Sequence, residues 1–140
     1  MTQGYNQSMS YTALVLDDQS KQKMIDFFQP IVIDWKVYCH HMTINMGKPK
    51  KDFSENLIGQ FHTVKIISFA DDDLVSAAGV LTDLPSKNRI KHITIAVNEI
   101  DGGKPMLSKK LLHWIALKNP IEVSGSVQYV FDDQLTGNKS

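Results

Sequence analysis

The chain predicts an α+β fold, a mostly antiparallel sheet in two pseudo-symmetric halves flanked by short helices. Two observations lead there. The order of elements reads β-α-β, then a β-hairpin, then β-(short α)-β, which is not the strict alternation of a doubly wound parallel sheet. In addition, the tetrapeptide His41-Met42-Thr43-Ile44 returns in chemical outline as His92-Ile93-Thr94-Ile95, fifty-one positions later. Aligning residues 37–45 with residues 88–96 sets both copies in register. This weak internal repeat suggests halves related by a pseudo-twofold, with the two motifs meeting at its centre.

Each element has a local reason. Thr12–Leu16 is a short apolar run that suits a buried first strand. Asp17-Asp18-Gln19-Ser20 supplies N-cap candidates before Met24, Ile25, Phe27 and Phe28 at helical spacing, and Pro30 is placed to end that helix. Residues 31–34 are ambiguous. Trp35–Asn45 reads as one strand carrying the first motif, followed by the basic loop Gly47–Lys51. Phe61–Phe69 and Leu74–Val80 form a predicted hairpin around Asp71-Asp72-Asp73. After the loop Asp83–Asn88, the strand Arg89–Val97 carries the second motif. Pro105–Leu117 has helix-like spacing at Leu111, Leu112, Ile115 and Ala116, with Ser108 as N-cap, and Ile121–Phe131 closes as a strand broken by Gly125. One domain spans residues 11–131, between polar ends 1–10 and 132–140 that are expected to fray.

At 140 residues, 42% apolar and 21% charged, the chain is long enough for one well-buried core. Its formal net charge is zero, which argues against a partner gripped by counterion release along a duplex. A short or cyclic phosphodiester needs only a few local donors. Cys39 is the sole cysteine, so no internal disulfide is expected, in keeping with a reducing, cytoplasmic setting. The polar first ten residues do not read as a signal peptide, and no stretch approaches 18 consecutive apolar residues, so no membrane partner is expected.

The repeated motif carries the chemistry. On a strand, alternation sends His and Thr to one face and the apolar pair to the other. Each copy presents an imidazole and a hydroxyl roughly 6–7 Å apart along the backbone. A single His-apolar-Thr-apolar match arises at roughly 2% per histidine by composition, so two copies among five histidines are informative. Facing pairs would surround one small anion with two titratable groups and two neutral donors. Imidazoles with pKa of about 6.5 can hold complementary protonation states near neutrality, one as general base on water and one as general acid on the leaving oxygen. Thr43 and Thr94 would donate to the non-bridging phosphoryl oxygens.

Two such motifs on strands of a small α/β protein resemble the two-histidine (2H) phosphoesterases. That superfamily includes cyclic phosphodiesterases of RNA ends, 2′,5′-oligonucleotide phosphodiesterases and phage enzymes that open cyclic nucleotide signals. The resemblance spans residues 11–129 loosely, and the motifs stand closer together than in many members, as in a compact version. It implies a metal-independent phosphodiesterase, with His41, His92, Thr43 and Thr94 as the catalytic set and no cofactor. A terminal 2′,3′-cyclic phosphate in an RNA-repair setting is the leading substrate, and a short 2′,5′-linked or cyclic oligonucleotide the close variant.

Two rivals stay open. A binding module of the same fold would hold a nucleotide without turning it over. A metal-dependent hydrolase has five histidines and the Asp71–Asp73 run to draw on, but lacks HExxH, CxxC or paired His at helical spacing. His40 and His41, being adjacent, should point to opposite faces of a strand, whereas Cys39 should share the face of His41. A lone Cys on an apolar strand is usually simply buried. His62 and His113 lack partner motifs. Trp35, Phe61, Trp114, Tyr11 and Tyr129 are candidates for base stacking without a signal that selects one, and Lys48, Lys50, Lys51 and Lys104 for lining an anion entrance.

Overall fold

The computed structural model describes residues 10–29 and 34–131. These described residues form seven strands and one α-helix: β1 (Ser10–Leu16), α1 (Asp18–Phe28), β2 (Lys36–Val37), β3 (His41–Met46), β4 (Phe61–Asp71), β5 (Val75–Leu81), β6 (His92–Val97) and β7 (Ile115–Phe131). Every strand pairing among the described residues is antiparallel. The strand order β6-β3-β1-β7-β4-β5 returns to β6 through a β5–β6 ladder, so six strands close into a barrel and β2 is an extra strand on β6.

This overturns the α+β expectation of two sheet halves flanked by helices. The β5–β6 ladder, from Val75↔Val97 to Gly79↔His92, seals the sheet into a single mostly-β body. Closure removes the sheet edges that a two-half arrangement would leave for helices to cover. The second predicted helix is also replaced. Pro105–Lys110 forms only a 3-10 turn, and Ile115 and Ala116 join β7 opposite Phe69 and Ser68. Of the apolar residues read there at helical spacing, Leu111 is buried while Leu112 and Ile115 are exposed, so no helical face is packed. Pro120, which has no N–H to give, falls where the β4–β7 register shifts.

The barrel interior follows from alternation. Leu14, Leu16, Met42, Ile44, Val64, Ile66, Ala78, Val80, Ile93, Ile95, Val123 and Val127 form one buried cluster. Met24 and Phe28 of α1 join it, so the helix plugs the barrel instead of flanking a sheet. Asp17 caps α1 as expected, accepting from Ser20 N–H at 2.7 Å, and Ser20 Oγ in turn accepts from Ser124 N–H at 2.7 Å. Gly125 lies where a Cβ would run into the Val15 carbonyl, so only glycine allows β7 this close to β1. Pro30 and most of the ambiguous 31–34 stretch lie outside the described residues, as do residues 1–9 and 132–140, while Ser10 already pairs with Phe131.

A second, smaller apolar cluster lies outside the barrel. Ala70, Val75, Ala77 and Val97 are covered by Leu111, with Leu107, Trp114 and Tyr38 packed around them. The 3-10 turn and the segment after it thus lie over the outer surface of β5 and β6, next to the second motif.

Candidate functional site

With Met42, Ile44, Ile93 and Ile95 filling the interior, His41, Thr43, His92 and Thr94 stand on the outer face of the barrel. β3 and β6 are antiparallel neighbours that meet at the single rung Met42↔Ile93. Continued one residue either way, that register sets His41 across from Thr94 and Thr43 across from His92. The two motifs therefore meet head to tail, as a local twofold about Met42 and Ile93. Beyond the rung the strands part, and β3's carbonyls are taken by a loop: Ser86 Oγ donates to Thr43 O and Lys87 N–H to Ile44 O, both at 2.8 Å.

Each side chain has an identifiable restraint. His92 is nearly buried, and its Nδ1 lies 2.8 Å from the Ile90 carbonyl. A carbonyl only accepts, so Nδ1 carries the proton and neutral His92 presents a lone pair at Nε2. Thr94 Oγ1 lies 2.8 Å from Ser108 Oγ, and Ser108 is the fully buried residue of the 3-10 turn. Thr94 Oγ1 also lies 3.5 Å from the Pro105 carbonyl, so when Ser108 donates to Thr94 the Thr94 proton goes to Pro105, and a ligand would have to take it from that long bond. Thr43 is half-buried, as is His41. Tyr11 stacks on His41 with ring centroids 4.5 Å apart and 26° between planes. Trp114 sits 6.4 Å from His92. Gly79, across from His92 on β5, makes room for Ser68 Oγ, with which a Cβ would collide, while the indole would stay at an ordinary contact distance of 3.4 Å.

Burial dominates the electrostatics. Desolvation pushes the His41 imidazole down to about 3, with repulsion from His40 and His92 adding to it. His92 is also lowered by burial, an effect its bond to Ile90 partly opposes. Both motif histidines are therefore neutral at pH 7 in the free protein, not poised near 6.5 as their sequence alone suggests.

His40 is where sequence reasoning goes wrong. The expected strand over residues 35–45 is interrupted at Cys39, whose φ of 46° is left-handed. The pairing with β6 slips by two residues between Val37↔Ala96 and Met42↔Ile93. Residues 39–41 therefore bulge, and His40 comes round to the same side as His41, with Nδ1···Nδ1 at 3.0 Å. Cys39 instead turns into the barrel core, fully buried, and desolvation pushes its thiol up to about 12. That makes it an unsuitable nucleophile.

The remaining candidates lie elsewhere or take other roles. His62 is half-buried, bonded to Gln60 at 2.8 Å, and lines an open cavity of about 520 Å³ with Lys65, Thr82, Asp83 and Glu122. His113 is exposed. Asp72 caps the β4–β5 turn through the Leu74 and Val75 amides, a structural use for the acidic run. Among the described residues, no group of three or more His, Cys, Asp or Glu side chains is placed to hold a metal ion. No helix among them is long and apolar enough to cross a membrane. Sequence reasoning missed His40 and Ser108, and left Tyr11 and Trp114 unselected. Only the His-His doublet offered a signal.

No family model matches the chain, and no curated protein matches it in sequence.

Proposed function

We propose that the protein hydrolyses a small RNA-like phosphodiester without a metal, using His41 and His92 as the proton-transfer pair. A terminal 2′,3′-cyclic phosphate is the first choice of substrate, and a short 2′,5′-linked or cyclic oligonucleotide the next. The observation that carries this reading is the meeting of two His-Thr pairs, head to tail, on one face of adjacent strands. Such a patch offers an anion two imidazoles and two hydroxyls on neighbouring positions of one face.

The tautomers support a division of roles. His92, with Nδ1–H tied to Ile90, suits the general base through Nε2. His41 is then the proton donor, and Thr43 and Thr94 stabilise the phosphoryl oxygens as charge builds on them. A bound anion would itself raise both imidazole pKa values, since an opposite charge within a few ångströms favours the protonated form.

One observation favours the binding-module alternative: in the free protein neither motif histidine carries a charge near neutrality. The two readings separate on a substrate panel of RNA ending in a 2′,3′-cyclic phosphate, 2′,5′-oligoadenylate and cyclic dinucleotides. The phosphodiesterase reading expects turnover of at least one, abolished in His41→Ala and His92→Ala. Saturable binding with no product across the whole panel would establish the binder instead.

A further inference from the structure

The doublet His40-His41 sits in a bulge that turns both imidazoles toward each other, with the two Nδ1 atoms 3.0 Å apart. Two nitrogens at that distance share one proton, so one ring donates through Nδ1 and the other accepts. The rings differ in surroundings. His41 lies under the Tyr11 ring and near His92, while His40, also half-buried, is faced by Lys21 of α1.

We propose that His40 is a positioning residue for His41: its Nδ1–H donates to His41 Nδ1, holding neutral His41 in the tautomer with its proton on Nε2. This rests on the phosphodiesterase reading above and supplies what that reading lacks. His92 is fixed in the opposite tautomer by the Ile90 carbonyl. The two motif histidines are then complementary while both are neutral, one offering a lone pair and the other an N–H. The reverse arrangement would turn two lone pairs toward an anionic phosphate, leaving no imidazole N–H to serve the leaving oxygen.

The same contact supplies the proton. With His40 as imidazolium, its Nδ1 proton passes to His41 Nδ1 as the His41 Nε2 proton passes to the leaving oxygen. The leaving alkoxide becomes a hydroxyl, His40 ends neutral, and His41 remains neutral throughout with its tautomer reversed. The His41 ring never carries the full charge that its surroundings penalise. Burial and Lys21 hold the His40 pKa below the usual imidazole value, so the charged form of His40, and with it the rate, grows as pH falls below neutrality.

Histidine-selective ¹⁵N labelling and long-range ¹H–¹⁵N NMR read the tautomers directly, with kcat and KM measured on RNA ending in a 2′,3′-cyclic phosphate. Wild type should show His41 protonated at Nε2 and bare at Nδ1. His40→Asn, whose amide can donate from nearly the same place but cannot titrate, should keep that tautomer yet lose kcat. His40→Ala should lose the tautomer preference as well. Both should drop kcat by roughly 10- to 100-fold, with little change in KM, on the lower scale of general-acid effects. His41 protonated at Nδ1 in wild type would overturn the proposal, even if neither variant folds or no substrate turns over. So would wild-type kcat in His40→Ala. If His41→Ala retains wild-type turnover, the phosphodiesterase assignment fails. If His41→Ala is inactive while His40→Ala matches wild type in rate and spectrum, only the role of His40 fails.

Discussion

Replacing His41 by Asn should make the fold less sensitive to acid, and the size of the effect follows from burial. In the unfolded chain this imidazole titrates at about 6.5, and in the folded protein desolvation lowers it to about 3. Between those values the unfolded state binds the proton and the folded state does not, so protonation favours unfolding. The His41 contribution to stability is intact above pH 6.5 and is lost as pH falls through that value, levelling off near 3. Each pH unit in the window is worth about 1.4 kcal/mol, so at pH 5.0 the loss is about 2 kcal/mol. His40 and His92 add to the wild-type slope, being lowered in the same direction. The variant keeps their share and sheds that of His41. Urea titrations of both proteins at pH 7.5 and 5.0 measure this. The gap between wild type and His41→Asn should shift by about 2 kcal/mol in the variant's favour at the lower pH. Parallel behaviour at the two pH values would refute the desolvated, neutral state of His41.

Other consequences follow from the same geometry. A phosphodiester carries a fixed negative charge, so binding it should draw in a proton, and its affinity should rise by up to tenfold per unit as pH falls from 7.5 to 6; titration calorimetry in two buffers of different ionisation enthalpy would detect the uptake, and its absence would count against the histidine pair. Ser108→Ala removes the buried partner of Thr94 and should cost about 1–2 kcal/mol in a denaturant melt, with a fall in kcat/KM that exceeds any change in substrate affinity. Gly125→Ala should destabilise by about 3 kcal/mol, because the added methyl meets the Val15 backbone and not a movable side chain. Turnover should survive prolonged EDTA treatment; restoration by one particular metal after its loss would move the case to the metal hydrolase.

What the sequence disclosed was mostly local. Asp17 capping α1, the β4–β5 hairpin and the alternation that separates His41 and Thr43 from Met42 and Ile44 depend on neighbours within a few residues. The barrel was not legible because its closure depends on the β5–β6 ladder and on β7 running from β1 to β4, pairings between residues far apart in the chain. Leu111, Leu112, Ile115 and Ala116 kept helical spacing, yet long-range pairing with β4 drew Ile115 and Ala116 into a strand. At the site, the four motif residues were legible from the repeat, while His40 was not. A left-handed turn at a cysteine has no compositional signal, and without that turn the rule of alternation sends His40 to the wrong face. The pKa values were hidden for a related reason, since sequence gives the residue type and only packing gives its desolvation.

If His41 and His92 act as one proton-transfer unit on a phosphodiester, a double-mutant cycle in single-turnover kinetics on RNA ending in a 2′,3′-cyclic phosphate must be non-additive. His41→Ala and His92→Ala should each lower the rate by roughly 10²–10⁴-fold, and the double variant should fall far short of the product of those losses, as expected of groups that act together. A rate near wild type in either folded single variant, or losses that simply multiply, would contradict it.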